Sequence, residues 1–399
     1  MSETKEVVER AGETVGMKMT PRASIIINNY NYGRYVTNAI ESALAQTLPD
    51  VEVIVVDDGS TDNSREVIRP YGDRTVTIFK ENGGQGSALN VGFARSSGDV
   101  VLFLDADDML VADALEQIMP CFSDPEIVKV HWPLLKVDVH GRSLGELLPP
   151  TEIPDGDLRA RVCCDGPSTI AWPGQGNAWS RKLLRQILPM PEELYRTGAD
   201  TYLFELAPFF GPMKTVPEPL TLYRMHHENF SRSMSFERRM ARELRFADHY
   251  TAVVSKQCEA MGAKVDLARW RANSWWYRLS DAADEIRSCI PDGERFILID
   301  DAAWAMDALD ARVALPFPEQ DGWYAGPSSD DESAIAEFQR TRQLGIRFVV
   351  VAWQSFWWLD HYKAFAEYLY RTSTERLRNE GLLIFEAKDG SDIGGGDGS

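Results

Sequence analysis

The sequence predicts a mixed α/β protein whose main sheet is mostly parallel and is sandwiched by helices. Two observations support this fold class: short apolar runs alternate with amphipathic segments, and each of these runs ends in a polar loop. The same alternation returns after residue 290, following a stretch of helical pattern, which indicates a second, smaller α/β module. With 399 residues, the chain is long enough for more than one hydrophobic core.

Four predicted strands open the chain, and each leads into a polar loop and then a helical pattern. The strands and their loops are 23–27 with 28–33, 51–56 with 57–62, 75–79 with 82–90, and 100–104 with 105–108. Ligands of parallel sheets bind in the crevice at the carboxyl ends of the strands. We therefore expect these four loops to meet at one site.

The fourth loop, Asp105-Ala106-Asp107-Asp108, follows a buried apolar run. Carboxylates this close together repel one another and resist the loss of water unless a cation lies between them. Hard divalent cations such as Mg²⁺ bind carboxylate oxygens together with substrate phosphates. The pattern favours a metal–diphosphate site, and an Asp-rich turn that caps a helix beginning near Val111 is the alternative.

The third loop contains Gly83-Gly84-Gln85-Gly86. Glycines let the backbone approach a phosphate closely, and the helix that follows offers free N–H groups. The loop has neither the GxGxxG pattern nor the Lys and Ser/Thr of a P-loop, so the sequence disfavours a dinucleotide enzyme or an ATPase.

Taken together, these motifs resemble those of a family 2 glycosyltransferase with the GT-A fold, over residues 21–231. The matching segments are 24–31, 55–62, 82–84, 88–90 and 104–108, with a looser likeness in 172–181, 198–203 and 222–231. The resemblance implies hexosyl or related glycosyl transfer from a nucleotide-diphosphate sugar to a carbohydrate or other hydroxyl acceptor. It also implies Mg²⁺ or Mn²⁺ as cofactor and a place in polysaccharide biosynthesis.

The resemblance assigns roles to single residues. Asp107 and His226 are the expected metal ligands, and Asp200 is the expected general base, although Ala199 stands where the family usually has a Glu. Residues of several loops are expected to bind the nucleotide sugar: Asn29, Tyr30, Asp58, Gly84, Asn90, Asp105, Ala106, Gln175 and Arg224. Plainer roles stay open, namely packing for Tyr30, a structural role for His226, an N-cap for Asp200, a helix start for Asp108 and a turn cap for Asp57.

The implied mechanism is a single displacement that inverts the anomeric carbon, with Asp200 removing the proton of the attacking hydroxyl. A sugar nucleotidyltransferase is one rival, but Asn28-Asn29-Tyr30-Asn31 stands where that class wants a Gly-rich basic loop. A non-catalytic sugar-binding or scaffold protein is the other. The presence of Asp105, Asp107 and Asp200 argues against it, since an inert domain need not keep them.

The composition narrows the range of partners. The net charge of −19 opposes binding to nucleic acid or to an anionic membrane. The sequence shows no signal-peptide pattern and no apolar run long enough to span a membrane, so neither segment is expected. The five cysteines lack the spacing of a metal site or a disulfide framework, so free thiols are expected. These features predict a bacterial-type cytoplasmic protein, with peripheral attachment to a membrane assembly and homo-oligomerisation left open.

The expected organisation has five parts: an N-terminal arm (1–20), a GT-A domain (21–235), a helical segment (236–290), a small α/β module (291–389) and a disordered tail (390–399). The module is predicted to hold strands at 295–300, 312–315, 347–352 and 382–385, and helices at 330–343 and 360–371. Its aromatic loops, 317–324 and 353–362, fit either sugar stacking or a packed interface, and we assign the module no activity.

Overall fold

The computed structural model describes residues 23–149, 153–166, 174–226, 234–321 and 323–388. The predicted N-terminal arm and tail lie outside these residues, as do parts of the segments 172–181 and 222–231. The described chain forms two compact units. The first contains residues 23–134, 175–196 and 214–222, and the second contains the other described residues.

The strands, in chain order, are β1 (Ala23–Asn29), β2 (Val51–Asp57), β3 (Val76–Phe79), β4 (Val100–Asp105), β5 (Met109–Leu110), β6 (Lys129–His131), β7 (Leu134–Val137), β8 (Ser143–Leu148), β9 (Asn177–Ser180), β10 (Met213–Thr215), β11 (Thr221–Arg224), β12 (Arg295–Ile299), β13 (Ala308–Leu309), β14 (Arg312–Pro316), β15 (Glu319–Gln320), β16 (Trp323–Tyr324), β17 (Phe348–Ala352), β18 (Ser373–Arg378) and β19 (Leu382–Ala387).

The helices are α1 (Val36–Leu44), α2 (Ser64–Ile68), α3 (Gln85–Arg95), α4 (Ala114–Ile118), α5 (Arg159–Asp165), α6 (Arg181–Ile187), α7 (Ala199–Leu206), α8 (Phe236–Ala260), α9 (Leu267–Asn273), α10 (Trp275–Cys289), α11 (Asp331–Arg342), α12 (Trp357–His361) and α13 (Lys363–Thr372). No helix among the described residues combines the length and the apolar character that a membrane crossing requires.

The first unit is built on a seven-stranded sheet with the order β10-β6-β9-β4-β1-β2-β3. Strands β1 to β4 pair in parallel, whereas β9 runs antiparallel to β4 and β6. On one face, Ile25 and Ile27 of β1 pack with Val36 and Ile40 of α1, and on the other face Gly92 of α3 lies against Ile26. The predicted fold class, a mostly parallel sheet with helices on both faces, is therefore confirmed.

The acidic loop after β4 leads into a strand before any helix begins. Met109 and Leu110 form β5, which pairs antiparallel with β11, and α4 begins only at Ala114. The helix predicted to begin near Val111 begins three residues later, because the N–H of Val111 still donates to the carbonyl of Leu220 and continues the pairing of β5. Asp108 therefore lies in the turn directly before β5 and does not start a helix.

The second unit contains a six-stranded sheet with the order β13-β14-β12-β17-β19-β18. Strands β14, β12 and β17 are parallel, and β19 runs antiparallel to β17. Phe236 of α8 and Leu279 of α10 belong to one hydrophobic cluster with Phe296 of β12 and Val350 of β17. The helical segment and the C-terminal sheet therefore share a core, and the boundary placed at residue 290 stays a prediction.

We expect Phe236→Ala to lower the free energy of unfolding by about 3–5 kcal/mol, because the side chain is 1% exposed and its removal leaves a cavity in this shared core. Urea unfolding of the full chain, followed by tryptophan fluorescence, measures the change. Leu267→Ala is the matched control, since Leu267 is 54% exposed and should cost little. Equal effects of the two substitutions would contradict the shared core.

Candidate active site

Three carboxylates cluster at the carboxyl end of β4. Asp105 is the last residue of this strand, and one ligand atom each from Asp105, Asp107 and Asp108 lies within 4.8 Å of the others. The N–H of Asp108 donates to the carbonyl of Asp105 at 3.1 Å and closes the turn that brings the side chains together, with Asp108 buried. Such crowding of negative charge is the arrangement expected of a cation site.

Neutral amides from three separate segments hold the Asp105 carboxylate: one from the end of β1, one from the start of α3 and one from the segment before β9. Asn28 Nδ2 donates to Oδ1 at 2.9 Å, Gln85 Nε2 donates to Oδ1 at 3.4 Å, and Gln175 Nε2 donates to Oδ2 at 2.8 Å. Amide donors orient a carboxylate without cancelling its charge. Asn28 and Gln85 were not among the predicted site residues, although both belong to the segments 28–33 and 82–90 that the sequence predicted as site loops. Ala106, a predicted site residue that stands between Asp105 and Asp107 in the sequence, is buried.

The Asp58 carboxylate organises the glycine loop. Its Oδ1 accepts hydrogen bonds from Lys80 Nζ at 2.5 Å and from the Gly83 N–H at 2.9 Å, and its Oδ2 accepts from the Gly84 N–H at 2.7 Å. The carboxylate thus has an ionic partner and two backbone partners inside the protein. Acceptance from a base or ribose by Asp58 stays a prediction. Lys80, which the sequence reasoning missed, directly follows β3.

Neighbouring Asp57 and Asn29 form a compact network at the ends of β2 and β1. Asp57 accepts from Asn29 Nδ2 at 2.9 Å, from the Ser60 N–H at 3.2 Å and from Arg65 Nε at 2.9 Å. This is the geometry of a turn cap, the role left open for Asp57. Next to Asn29, Tyr30 is 46% exposed, so its ring is available at the surface of the loop.

The segment 190–196 packs on the glycine loop and on α3. Gly84 has φ +92°, and a Cβ there would lie 2.5 Å from the Arg196 Cα, so both its conformation and its surroundings require glycine. The Asn90 amide donates to the Met190 carbonyl at 3.0 Å and accepts from the Met190 N–H at 2.9 Å. Asn90 therefore holds this segment in place, while its predicted contact with the nucleotide sugar stays a prediction.

The second unit holds Asp200, the predicted base, in the first turn of α7. Gly198, and not Asp200, is the N-cap residue of this helix, with φ +70°. A Cβ on Gly174 would lie 2.3 Å from Asp200 Oδ2, so a larger residue there would require the carboxylate to move. Burial, with a contribution from Glu243, raises the Asp200 pKa to about 6, against opposing effects of the Thr201 N–H and of Arg242.

Arg224 and His226, two further predicted residues, also lie in the second unit and are buried. Arg224 donates to the carbonyl of Val139 at 2.8 Å. Residues 227–233, which contain the rest of the matched closing motif, lie outside the described residues. The metal role of His226 and the ligand role of Arg224 stay predictions.

The aromatic loops of the C-terminal sheet converge on Asp301, next to the end of β12. Its carboxylate accepts four hydrogen bonds, from Tyr324 Oη at 2.8 Å, Ser355 Oγ at 2.7 Å, Trp357 Nε1 at 2.8 Å and Trp358 Nε1 at 3.0 Å. Trp358 is fully buried, whereas Trp323 is 78% exposed. Part of the aromatic content is thus internal packing, and sugar stacking by the exposed part stays a prediction.

Comparison with known proteins finds relatives for the part of the chain that contains the acidic cluster and the glycine loop. The family model described as glycosyl transferase family 2 matches residues 24–167. An uncharacterized glycosyltransferase of Nostoc sp. is 38% identical over 212 residues, which cover 52% of this chain and 66% of the relative. An uncharacterized glycosyltransferase of Rickettsia typhi is 44% identical over 97 residues, 24% of this chain and 30% of the relative.

Among solved structures, S. aureus TarS 1-349 in complex with UDP-GlcNAc is similar with a TM-score of 0.47 and 19% identity, covering 63% of this chain and 69% of that one. A likeness at this level carries no inference about the chemistry of the present chain. The chain spans less than two thirds of the length of the curated relatives it matches.

Proposed function

We propose that this chain, whose residues 24–167 belong to glycosyl transferase family 2, transfers a sugar from a nucleotide-diphosphate sugar to an acceptor hydroxyl. One observation carries the proposal: three carboxylates with ligand atoms within 4.8 Å stand at the end of a parallel strand, and the glycine loop is tied to them through Gln85. Ligands of parallel sheets bind at this edge, and a diphosphate suits a cation that carboxylates hold. The free N–H groups expected of the glycine loop do not contribute, because those of residues 83–86 already donate to acceptors within the protein.

The donor set suits Mg²⁺ or Mn²⁺. Asp105, Asp107 and Asp108 offer carboxylate oxygens, which hard divalent cations prefer. A cation held there supplies neutralisation of the charge that develops on the leaving diphosphate. The residues of the chain do the positioning: Asn28, Gln85 and Gln175 fix Asp105, and Asp58 fixes the glycine loop. The proposal does not require His226.

Asp200 is proposed as the general base. With a pKa of about 6, its carboxylate is charged at neutral pH and is more basic than an ordinary Asp, whose pKa is 3.8. Such a carboxylate is better suited to accept the proton of an attacking hydroxyl. A single attack from the face opposite the leaving group inverts the anomeric carbon.

We expect turnover to fall as the pH drops through about 6, because protonation of Asp200 removes the base. An ordinary Asp would give this limb about two pH units lower. The effect of Asp200 on the free energy of unfolding is opposite to that of an ion-paired Asp, because the folded state binds the proton more tightly than the unfolded state does. Folding therefore becomes less favourable as the pH rises from 3.8 to about 6. Initial rates between pH 4.5 and 8 measure the limb, and a flat profile across about pH 6 would contradict it.

Nucleotide binding tests the proposal without knowledge of the acceptor. We expect UDP or GDP with Mn²⁺ to raise the melting temperature of the protein, and EDTA to remove the effect. Asp107→Asn should lose this rise, whereas Asp73→Asn, the same change at an exposed position, should keep it. A rise that ignores EDTA and the Asp107 substitution would contradict the proposed metal–diphosphate site.

The two rival functions give different results. A sugar nucleotidyltransferase would combine a nucleoside triphosphate with a sugar phosphate and release pyrophosphate. The end of β1 and the loop after it oppose this function, because residues 28–31 are Asn-Asn-Tyr-Asn and not a Gly-rich basic run. A sugar-binding scaffold would bind saccharides with no metal-dependent nucleotide binding.

A further inference from the structure

Two cysteines distant in sequence lie against each other in the second unit. Cys163 of α5 and Cys258 of α8 are 95 residues apart, and their Sγ atoms are 2.8 Å apart. Two non-bonded carbons rest about 3.5–4.0 Å apart, and sulfur is the larger atom. A disulfide bond is about 2.03–2.05 Å long. The two sulfurs are therefore closer than an ordinary contact, and a small movement separates them from a covalent bond.

The position of Cys163 is fixed by hydrogen bonds from α9. Trp270 Nε1 donates to the carbonyl of Cys163 at 3.2 Å, and Asn273 Nδ2 donates to the carbonyl of Asp165 at 2.9 Å. Arg269 adds an ion pair with Asp165 at 2.6 Å. Because these bonds reach the last turn of α5, the approach of the two thiols follows from the docking of the helix and not from a freely rotating surface side chain.

The two thiols differ in access. Cys163 is partly exposed, whereas Cys258 is fully buried. Burial first, and then the hydrogen bond with Cys163, raises the pKa of Cys258 to about 12. Cys163 is thus the thiol that a small molecule can reach. The Sγ atom of Cys258 lies against the Sγ atom of Cys163 inside the protein. This is the arrangement of an attacking and a resolving cysteine.

We propose that Cys163 and Cys258 form an oxidation site, at which a small-molecule disulfide of the glutathione type converts the two thiols into an intramolecular disulfide. The Cys163 thiolate attacks one sulfur of the oxidised glutathione, whose S–S bond breaks and releases one glutathione thiolate, which takes up a proton. The Cys258 sulfur, on losing its proton, attacks Cys163 in the mixed disulfide and releases the second glutathione. Two protein thiols are oxidised, and one glutathione disulfide is reduced to two thiols.

The bond would join α5 to α8 across a long loop of chain. Cross-links over long loops restrict the unfolded state most, so the oxidised protein should melt at a higher temperature than the reduced one. The expectation of free thiols would then fail for this pair, while the exposed neighbour Cys164 serves as an internal control.

The experiment equilibrates the full chain with oxidised and reduced glutathione at several ratios, blocks free thiols and digests without reduction. Mass spectrometry should find residue 258 linked to the peptide that contains residues 163 and 164, lighter by two hydrogens than the free peptides. Because trypsin leaves Cys163 and Cys164 on one peptide, two variants assign the link. It should persist in Cys164→Ser and disappear in Cys163→Ser.

A second readout keeps the test decisive if Cys163→Ser folds poorly. Oxidation should raise the melting temperature of the wild type and of Cys164→Ser by the same several degrees. A link that is lost in Cys164→Ser would overturn the proposal. The proposal would also be overturned if Cys163 and Cys258 both stay free thiols, labelled by the blocking reagent, at every glutathione ratio. A mixed disulfide of Cys163 with glutathione that never converts into the link to Cys258 would overturn it as well.

Discussion

Asp107→Asn is expected to reduce sugar transfer by at least about a hundredfold, and to leave the fold intact. The substitution removes one of the few charges that hold the cation, and charge stabilisation by a metal contributes several kcal/mol to the transition state, where about 1.4 kcal/mol corresponds to a tenfold change in rate. Since Asp107 lies within 4.8 Å of two other carboxylates, its neutralisation relieves repulsion in the metal-free protein. The melting temperature without metal should therefore stay level or rise.

Steady-state rates and metal-free melting curves measure these two effects together. Asp73→Asn is the control for the loss of one negative charge at a distance, because Asp73 is exposed. If Asp107→Asn turns over like the wild type, Asp107 is not a ligand of the metal. A variant that melts at a much lower temperature would assign Asp107 a structural role instead.

Asp200→Asn should lower turnover by roughly a hundred- to ten-thousand-fold, the range typical of a lost general base. Asn keeps the shape of the side chain beside Gly174 and loses only the capacity to accept the proton. Donor affinity should stay nearly unchanged, so the fall appears in kcat. Above pH 6 the variant should also be somewhat more stable, because it no longer carries a half-buried, partly desolvated charge.

The alternative role of Asp200 as a helix cap predicts the opposite result. An Asn caps about as well as an Asp, so neither stability nor rate would change. The position of Gly198 as N-cap already weakens that alternative. If Asp200→Asn keeps its turnover, Glu205, buried in the same helix, becomes the next candidate, and Glu205→Gln is the variant to compare.

Local pattern was enough to predict the four parallel strands of the first unit, but not the strands β6, β9 and β10 that complete its sheet. Apolar runs such as 23–27 and 100–104 match β1 and β4 closely, because a strand buried on both faces needs an unbroken apolar sequence. The acidic cluster was also predictable, since its members are adjacent in sequence. Strand β18 (Ser373–Arg378) was missed because an edge strand needs no apolar pattern. The predicted helix 360–371 is divided at Tyr362 into α12 and α13.

Roles that depend on distant partners could not be predicted. The hydrogen bonds of Asn90 to Met190, a hundred residues away, have no local sequence signal. The same holds for the contacts of Asp58 with Lys80 and the glycine loop, and the ligand roles of both residues stay predictions. The contact between Cys163 and Cys258 has no sequence signal at all, because it results from the packing of α5 beside α8.

The most direct test of the central claim is the release of nucleoside diphosphate from a panel of UDP- and GDP-sugars by the purified full-length chain, with Mn²⁺ or Mg²⁺ and with EDTA. The proposed function predicts that at least one sugar nucleotide is cleaved to nucleoside diphosphate, that EDTA stops the reaction, and that Asp107→Asn lacks it. Release of pyrophosphate from a nucleoside triphosphate and a sugar phosphate, with no cleavage of any sugar nucleotide, would contradict it.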